Sequence, residues 1–217
     1  MNDNEALASF RRASESQDTD ALGRLGEKVW SNIMLGGGFN YIPLCELPPK
    51  NGQGPRMRGC DTVLPDFDAN TRQRRFYLDA KCKSHYAVYR NAGNEKRHGI
   101  GQKYWHAYSD ISIQNTQRAM LGVVELFAEH GTWHWSGSLL AQTLGKLGRP
   151  HFQHGTPIRG FKDMVFWPVS KFRVLAVGIS PSELMRMAHE PVSWRTDIAK
   201  ELLTIASEPE FIQANLF

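Results

Sequence analysis

Apolar residues recur along the chain at two spacings, and each spacing predicts a different kind of element. The polar segment 1–18 is expected to be frayed or loosely docked. Four apolar residues then share one face at helical spacing: Leu22, Leu25, Val29 and Ile33. The glycines at 36–38 end that predicted helix. Alternating or continuous apolar runs predict strands at 39–47, 56–65, 74–84, 119–129 and 172–178.

The remaining segments complete a mixed pattern of elements. Helical spacing predicts helices at 102–115, 138–148, 181–189 and 196–205, whereas turn-forming residues predict connections at 48–55, 66–75, 89–99 and 131–137. This order favours an α/β or α+β fold with a central mixed sheet flanked by helices. We expect a polar N-terminal segment (1–18), a core (19–130), further elements of the same domain (131–208) and a tail (209–217).

Composition narrows the class of protein. The 217 residues suit one domain, and 41% hydrophobic with 22% charged residues is typical of a soluble globular protein. The net charge of +4 is compatible with a polyanionic partner. Three cysteines without a CxxC pair argue against a disulfide framework or a structural zinc site. No stretch has the length of a signal peptide core or a membrane span, so we expect a cytoplasmic protein.

Four polar residues form a candidate catalytic group. Asp79 and Lys81 lie two apart on a predicted strand, so their side chains point to the same face. Asp61 lies on the preceding predicted strand, and a hairpin would bring it towards Asp79. Glu27 lies on the predicted helix before the sheet, beside its apolar face.

These residue types suit phosphodiester hydrolysis. Oxygen ligands bind hard divalent cations such as Mg²⁺ or Mn²⁺. The cation neutralises the scissile phosphate and lowers the pKa of the attacking water, and a neighbouring lysine stabilises the anionic transition state. An isolated DxK triplet is common by chance, and charges on an edge strand often serve solubility. A DNA-binding or protein-interaction module that does not cut therefore remains the alternative.

The ordered set of motifs resembles the PD-(D/E)xK nuclease superfamily over about residues 20–128. LGRLGEKVWSNIMLGGGFNYIPL resembles its opening helix and first strand, RGCDTVLP the strand of its first aspartate, and FYLDAKCKS the strand of its triplet. Cys60 replaces the proline that often precedes that first aspartate. KRHGIGQKYWHAYSDISIQ and AMLGVVELF resemble the next helix and strand.

The resemblance implies a restriction-endonuclease-like core and a metal-dependent DNA nuclease, with Mg²⁺ or Mn²⁺ as cofactor. In that case Asp61, Asp79 and the carbonyl of Ala80 lie near the metal. Lys81 assists the attacking water, and Glu27 completes the metal site directly or through water. Such nucleases often dimerise, so a homodimer is a possible assembly.

Other residues are weaker candidates. Three side chains in or beside the helix after the triplet are possible accessory residues: His98, Gln102 and Tyr108. Basic residues near the candidate site are possible contacts to DNA phosphates: Arg56, Arg58, Arg72, Arg74, Arg75 and Lys83. A solvated surface explains either group equally well.

The last five residues, QANLF, form a separate motif. Gln213, Leu216 and Phe217 resemble the peptide with which bacterial DNA enzymes bind the replicative sliding clamp. A tail end is free to place two apolar anchors in a pocket, although the same residues suit packing on their own domain. The predicted partners are therefore DNA and, through this tail, a sliding clamp.

Overall fold

The computed structural model describes residues 2–15, 19–44, 64–71, 74–84, 87–89, 94–115, 118–128, 135–152 and 163–209. The helices are α1 (Asp3–Glu15), α2 (Thr19–Gly36), α3 (Gln102–Asn115), α4 (Leu144–Leu147), α5 (Pro181–His189) and α6 (Thr196–Ser207). The strands are β1 (Asn40–Pro43), β2 (Phe67–Asn70), β3 (Arg75–Lys83), β4 (Ala87–Tyr89), β5 (Glu95–Gly101), β6 (Arg118–Ala128), β7 (Trp135–Thr143), β8 (His151–Phe152), β9 (Met164–Pro168) and β10 (Arg173–Ile179).

Two sheets organise the described part of the chain. Six strands form a mixed sheet in the order β1-β2-β3-β6-β7-β10, and four form an antiparallel sheet in the order β4-β5-β9-β8. Among the described pairs, β3 and β6 are parallel and the others antiparallel. The prediction of an α/β (α+β) fold with a central mixed sheet flanked by helices is confirmed.

Strand β3 divides its side chains between two cores because alternate residues point to opposite faces. Phe76, Leu78 and Ala80 join the larger core, which also contains the apolar faces of α2, α5 and α6. The opposite face, with Asp79, is the side on which α3 packs. The functional candidates on β3 therefore face away from the larger core.

Helix α2 lies unusually close to the sheet because two glycines leave room for it. A Cβ atom at Gly26 would lie 3.1 Å from the backbone of both Lys81 and Cys82. On β6, a Cβ atom at Gly122 would lie 2.6 Å from the ring of Trp30, which is fully buried. These contacts fix the height of α2 over the middle of β3.

Several sequence-based expectations were wrong, and each error has a structural reason. The segment 1–18 contains helix α1, which is docked because it buries Ala6 and Phe10. Strand β2 lies inside 66–75, where we predicted a connection, and β5 lies largely within the predicted connection 89–99. Most of the predicted helix 138–148 is strand β7, because β6 and β10 pair with it on both sides.

No helix in the described ranges is long and apolar enough to cross a membrane.

Candidate active site

The Asp79–Ala80–Lys81 triplet lies on β3, a central strand of the large sheet, where it pairs with β6 just beyond the point at which the described pairing with β2 ends. Asp79 is 1% exposed, and Lys81 Nζ donates to its Oδ1 at 2.7 Å. The same Nζ lies 3.3 Å from the carbonyl oxygen of Ala80. The Lys81 side chain is 29% exposed, so the buried Asp79 carboxylate is paired with a side chain that reaches solvent.

Asp66 is the second carboxyl group beside the triplet. It directly precedes β2, where Phe67 pairs with Leu78, so the antiparallel register brings Asp66 opposite Asp79. Its Oδ2 accepts a hydrogen bond from the Ala80 N–H at 2.6 Å. Desolvation and the charge of Asp79 raise the pKa of Asp66 to about 8, against the opposing effects of Lys81 and the Ala80 N–H. The metal-free site therefore holds a proton near neutral pH.

Tyr108 hydrogen-bonds one of the two carboxylate oxygens of Asp79. This buried side chain of α3 donates its hydroxyl proton to Asp79 Oδ1 at 2.8 Å, the same oxygen that accepts from Lys81. Asp79 Oδ2 is buried and has no hydrogen-bond partner among the described residues. Burial and the neighbouring carboxyl groups raise the pKa of Tyr108 well above its ordinary value, so the phenol remains a donor.

Glu27 approaches the site from helix α2. Its neighbour Gly26 packs on the backbone of Lys81 and Cys82, which brings this part of the helix over the triplet. Glu27 is partly exposed, and its charge contributes to the raised pKa of Asp66. It is therefore an electrostatic neighbour of Asp66.

Lys81 remains charged despite its partial burial. Burial by itself lowers the pKa of Lys81, but the negative charges of Asp79 and Asp66 outweigh that effect and raise it. A stable ammonium group beside a buried carboxylate is suited to holding an anion or orienting a water molecule.

No protein-family model, curated protein or solved structure matches the chain. The residues of the site are therefore the evidence for its chemistry.

The donor set fits a hard divalent cation. Asp66, Asp79 and the Ala80 carbonyl present oxygen atoms on one side of β3, and oxygen is the ligand that Mg²⁺ and Mn²⁺ prefer. Asp79 Oδ2, which no described residue hydrogen-bonds, is the most direct sign of such a ligand. Within the described ranges, no three His, Cys, Asp or Glu side chains already form a metal-holding group. The candidate ligand set therefore relies on two carboxyl groups and a backbone carbonyl.

The other residues predicted to bind DNA or to assist catalysis are distributed over several parts of the structure. Arg75 makes a two-fold hydrogen bond to Asp68, with a 2.9 Å contact from Nε to Oδ1, and Arg74 is exposed at the same end of β3. Gln102 Nε2 lies 3.2 Å from His106 Nε2 on α3. His98 is buried and contacts Glu125 on β6. The following predicted residues lie outside the described ranges: Arg56, Arg58, Asp61, Arg72, Gln213, Leu216 and Phe217.

Sequence reasoning missed Asp66. The strand that pairs with β3 begins at Phe67, after Asp61 rather than around it. Pro65 directly precedes Asp66, so the proline that the resemblance expects before its first aspartate is present at that position. This Pro-Asp pair was the sequence signal that could have identified Asp66. It was overlooked because β2, which follows it, has only four residues and its pattern predicted a connection.

Proposed function

We propose that the chain is a divalent-metal-dependent deoxyribonuclease whose site comprises Asp66, Asp79 and Lys81. The observation that carries this proposal is the buried Asp79 Oδ2, which has no hydrogen-bond partner in the part of the chain that the structure describes. A buried polar atom left unsatisfied costs about 1–3 kcal/mol, and more when it is charged. A bound cation offsets that cost.

The second carboxyl group supports the same conclusion. Asp66 has its pKa raised to about 8 by desolvation and by Asp79, so the two groups repel each other when both are ionised. Coordination of one cation by both would relieve this repulsion. Two neighbouring carboxyl groups are therefore costly for folding and useful for binding a metal.

The chain's own groups would then divide the work of hydrolysis. A bound divalent cation would supply charge neutralisation at the phosphate and a lowered pKa for the attacking water. The Lys81 ammonium, 2.7 Å from Asp79 Oδ1, would orient that water and hold the developing negative charge. Tyr108 would keep Asp79 Oδ1 occupied and so direct Oδ2 to the cation. The water oxygen forms a bond to phosphorus, one phosphorus–oxygen ester bond breaks, and the leaving oxygen takes a proton.

The alternative, a DNA-binding module without catalysis, is less consistent with these contacts. Carboxylates repel phosphates, so a surface evolved only for binding gains nothing from Asp66 beside Asp79. The net charge of +4 and the lysines on this face favour a polyanionic substrate.

The test is cleavage of supercoiled plasmid by the purified chain with Mg²⁺, with Mn²⁺ and with EDTA. We expect nicked or linear product only with metal, and none from Asp79→Asn. Lys200→Ala is the matched control, because Lys200 is exposed on α6, which packs on the opposite face of the sheet.

Three results would contradict the proposal. One is a folded protein that cuts no plasmid, linear duplex or single-stranded DNA with either metal; retained DNA binding would then favour the binding module. Another is equal cleavage by wild type and Asp79→Asn. The third is hydrolysis of RNA alone, which would leave the chemistry intact and overturn the choice of DNA.

A further inference from the structure

Lys83 is a second lysine on the face that carries the triplet. It ends β3 and has the same alternation as Asp79 and Lys81, so all three side chains point to one side of the sheet. Successive residues on one face of a strand are roughly 6.5 Å apart. Lys83 therefore extends the charged row beyond Lys81, towards one end of the strand.

The carboxylate nearest to Lys83 in the sheet register is already used by other groups. Glu125 on β6 pairs with Lys83, but its Oε1 lies 2.5 Å from His98 Nε2 and its Oε2 accepts from Ser138 Oγ. Lys83 forms no ion pair with any residue in the described ranges. Among the described residues, it is thus a partly buried cation without an ion-pair partner.

The pKa of Lys83 indicates that its charged form is destabilised in this position. Burial, together with the positive charge of Lys81, lowers the pKa of Lys83 to about 8. A partly buried ammonium group without a counter-ion is destabilising, and a bound anion reverses that effect.

We propose that Lys83 binds a backbone phosphate of the DNA strand, next to the phosphate held at Asp79 and Lys81. Neighbouring phosphates of one strand have a separation comparable to the spacing of the two lysines along β3. This inference rests on the proposed nuclease function for the identity of the anion. It assigns Lys83 to substrate positioning and leaves the chemical step to the triplet.

The other end of β3 offers a contrast. Arg75 donates to both carboxylate oxygens of Asp68 through its Nε and Nη2, so its charge is neutralised within the protein. Among the described residues, the strand therefore has a cation with an ion-pair partner at its beginning and one without such a partner at its end. DNA is expected to run along the Lys83 end.

The test measures affinity for a short fluorescent DNA duplex in EDTA, where no cutting occurs, at several salt concentrations. We compare wild type with Lys83→Met, which keeps the apolar stem, with Lys83→Arg, and with Lys200→Met as the control. Loss of one phosphate contact lowers the slope of log affinity against log salt by about 0.9. Between 50 and 200 mM salt, Lys83→Met should then lose about 3.5-fold less affinity than wild type.

We expect Lys83→Arg and Lys200→Met to retain the wild-type slope. With metal present, Lys83→Met should raise KM more than it lowers kcat. An unchanged slope for Lys83→Met, or an equal change for Lys200→Met, would overturn the inference.

The two proposals can fail separately. If wild type cuts DNA and the slope does not depend on Lys83, the assignment of Lys83 alone is wrong. If wild type binds DNA with the Lys83-dependent slope but never cuts, the nuclease proposal is wrong and the phosphate contact stands.

Discussion

Replacing Asp66 with asparagine should stabilise the metal-free protein, increasingly so as the pH rises. Desolvation and Asp79 raise the pKa of Asp66 from an ordinary value of 3.8 to about 8. Between these values the folded protein holds a proton that the unfolded chain releases, so the free energy of unfolding of wild type falls with pH. That stability is fully present below the ordinary pKa and is lost as pH rises through about 8. Asparagine has no charge to desolvate and keeps an oxygen for the Ala80 N–H.

The size of the effect follows from the same shift. One fully coupled proton changes the free energy of unfolding by at most about 1.4 kcal/mol per pH unit. Asp66 is only partly buried, so solvent screening reduces the pKa shift and with it the total change in stability. We expect Asp66→Asn to gain about 2 kcal/mol relative to wild type between pH 5 and pH 8. For a chain of this size, that corresponds to roughly 4–8 °C in Tm.

The assay is urea denaturation of both proteins in EDTA at several pH values, followed by tryptophan fluorescence. Asp197→Asn is a control of opposite sign, because a hydrogen bond from Arg195 lowers the pKa of Asp197. The stability that Asp197 contributes is present above its ordinary pKa and is lost in acid, so that variant should be weaker than wild type at neutral pH. A constant difference between wild type and Asp66→Asn at every pH would refute the electrostatic reasoning.

Three further predictions concern catalysis and a partner. Lys81→Met should lower turnover by about 10²–10³-fold while the metal-bound protein keeps its Tm, since it removes a group that stabilises transition-state charge; unchanged kcat would contradict this role. Tyr108→Phe should weaken Mn²⁺ binding by roughly 10–100-fold in calorimetry, because Asp79 Oδ1 loses a donor that orients it; equal affinity would show that Tyr108 only fills space. Leu216→Ala with Phe217→Ala should abolish binding to a bacterial sliding clamp, and equal signals from the two proteins would rule out the tail motif.

Local patterns were sufficient for the elements nearest the site. The alternation around β3 correctly separated Phe76 and Leu78 from Asp79, because a strand buried on both faces still distributes its charges by parity. Helix α3 (Gln102–Asn115) was predicted with the same bounds that the structure shows.

Strands β2 and β5 were not predicted because they depend on pairing with distant parts of the chain. Strand β2 has only four residues, and its buried Asp68 depends on the guanidinium group of Arg75 across the hairpin. Strand β5 contains charged and glycine residues but pairs with β9, more than sixty residues later. Such partners override local propensity, and they brought Asp66 opposite Asp79 without any periodic signal.

The buried polar chain from His98 through Glu125 to Ser138 has a consequence for how the molecule opens. It joins β5 of the small sheet to β6 and β7 of the large one. Separating the sheets would break the buried contact between His98 and Glu125 together with the apolar packing around it. The two sheets should therefore behave as one cooperative unit in hydrogen exchange, with amides of β5 protected nearly as long as those of β6.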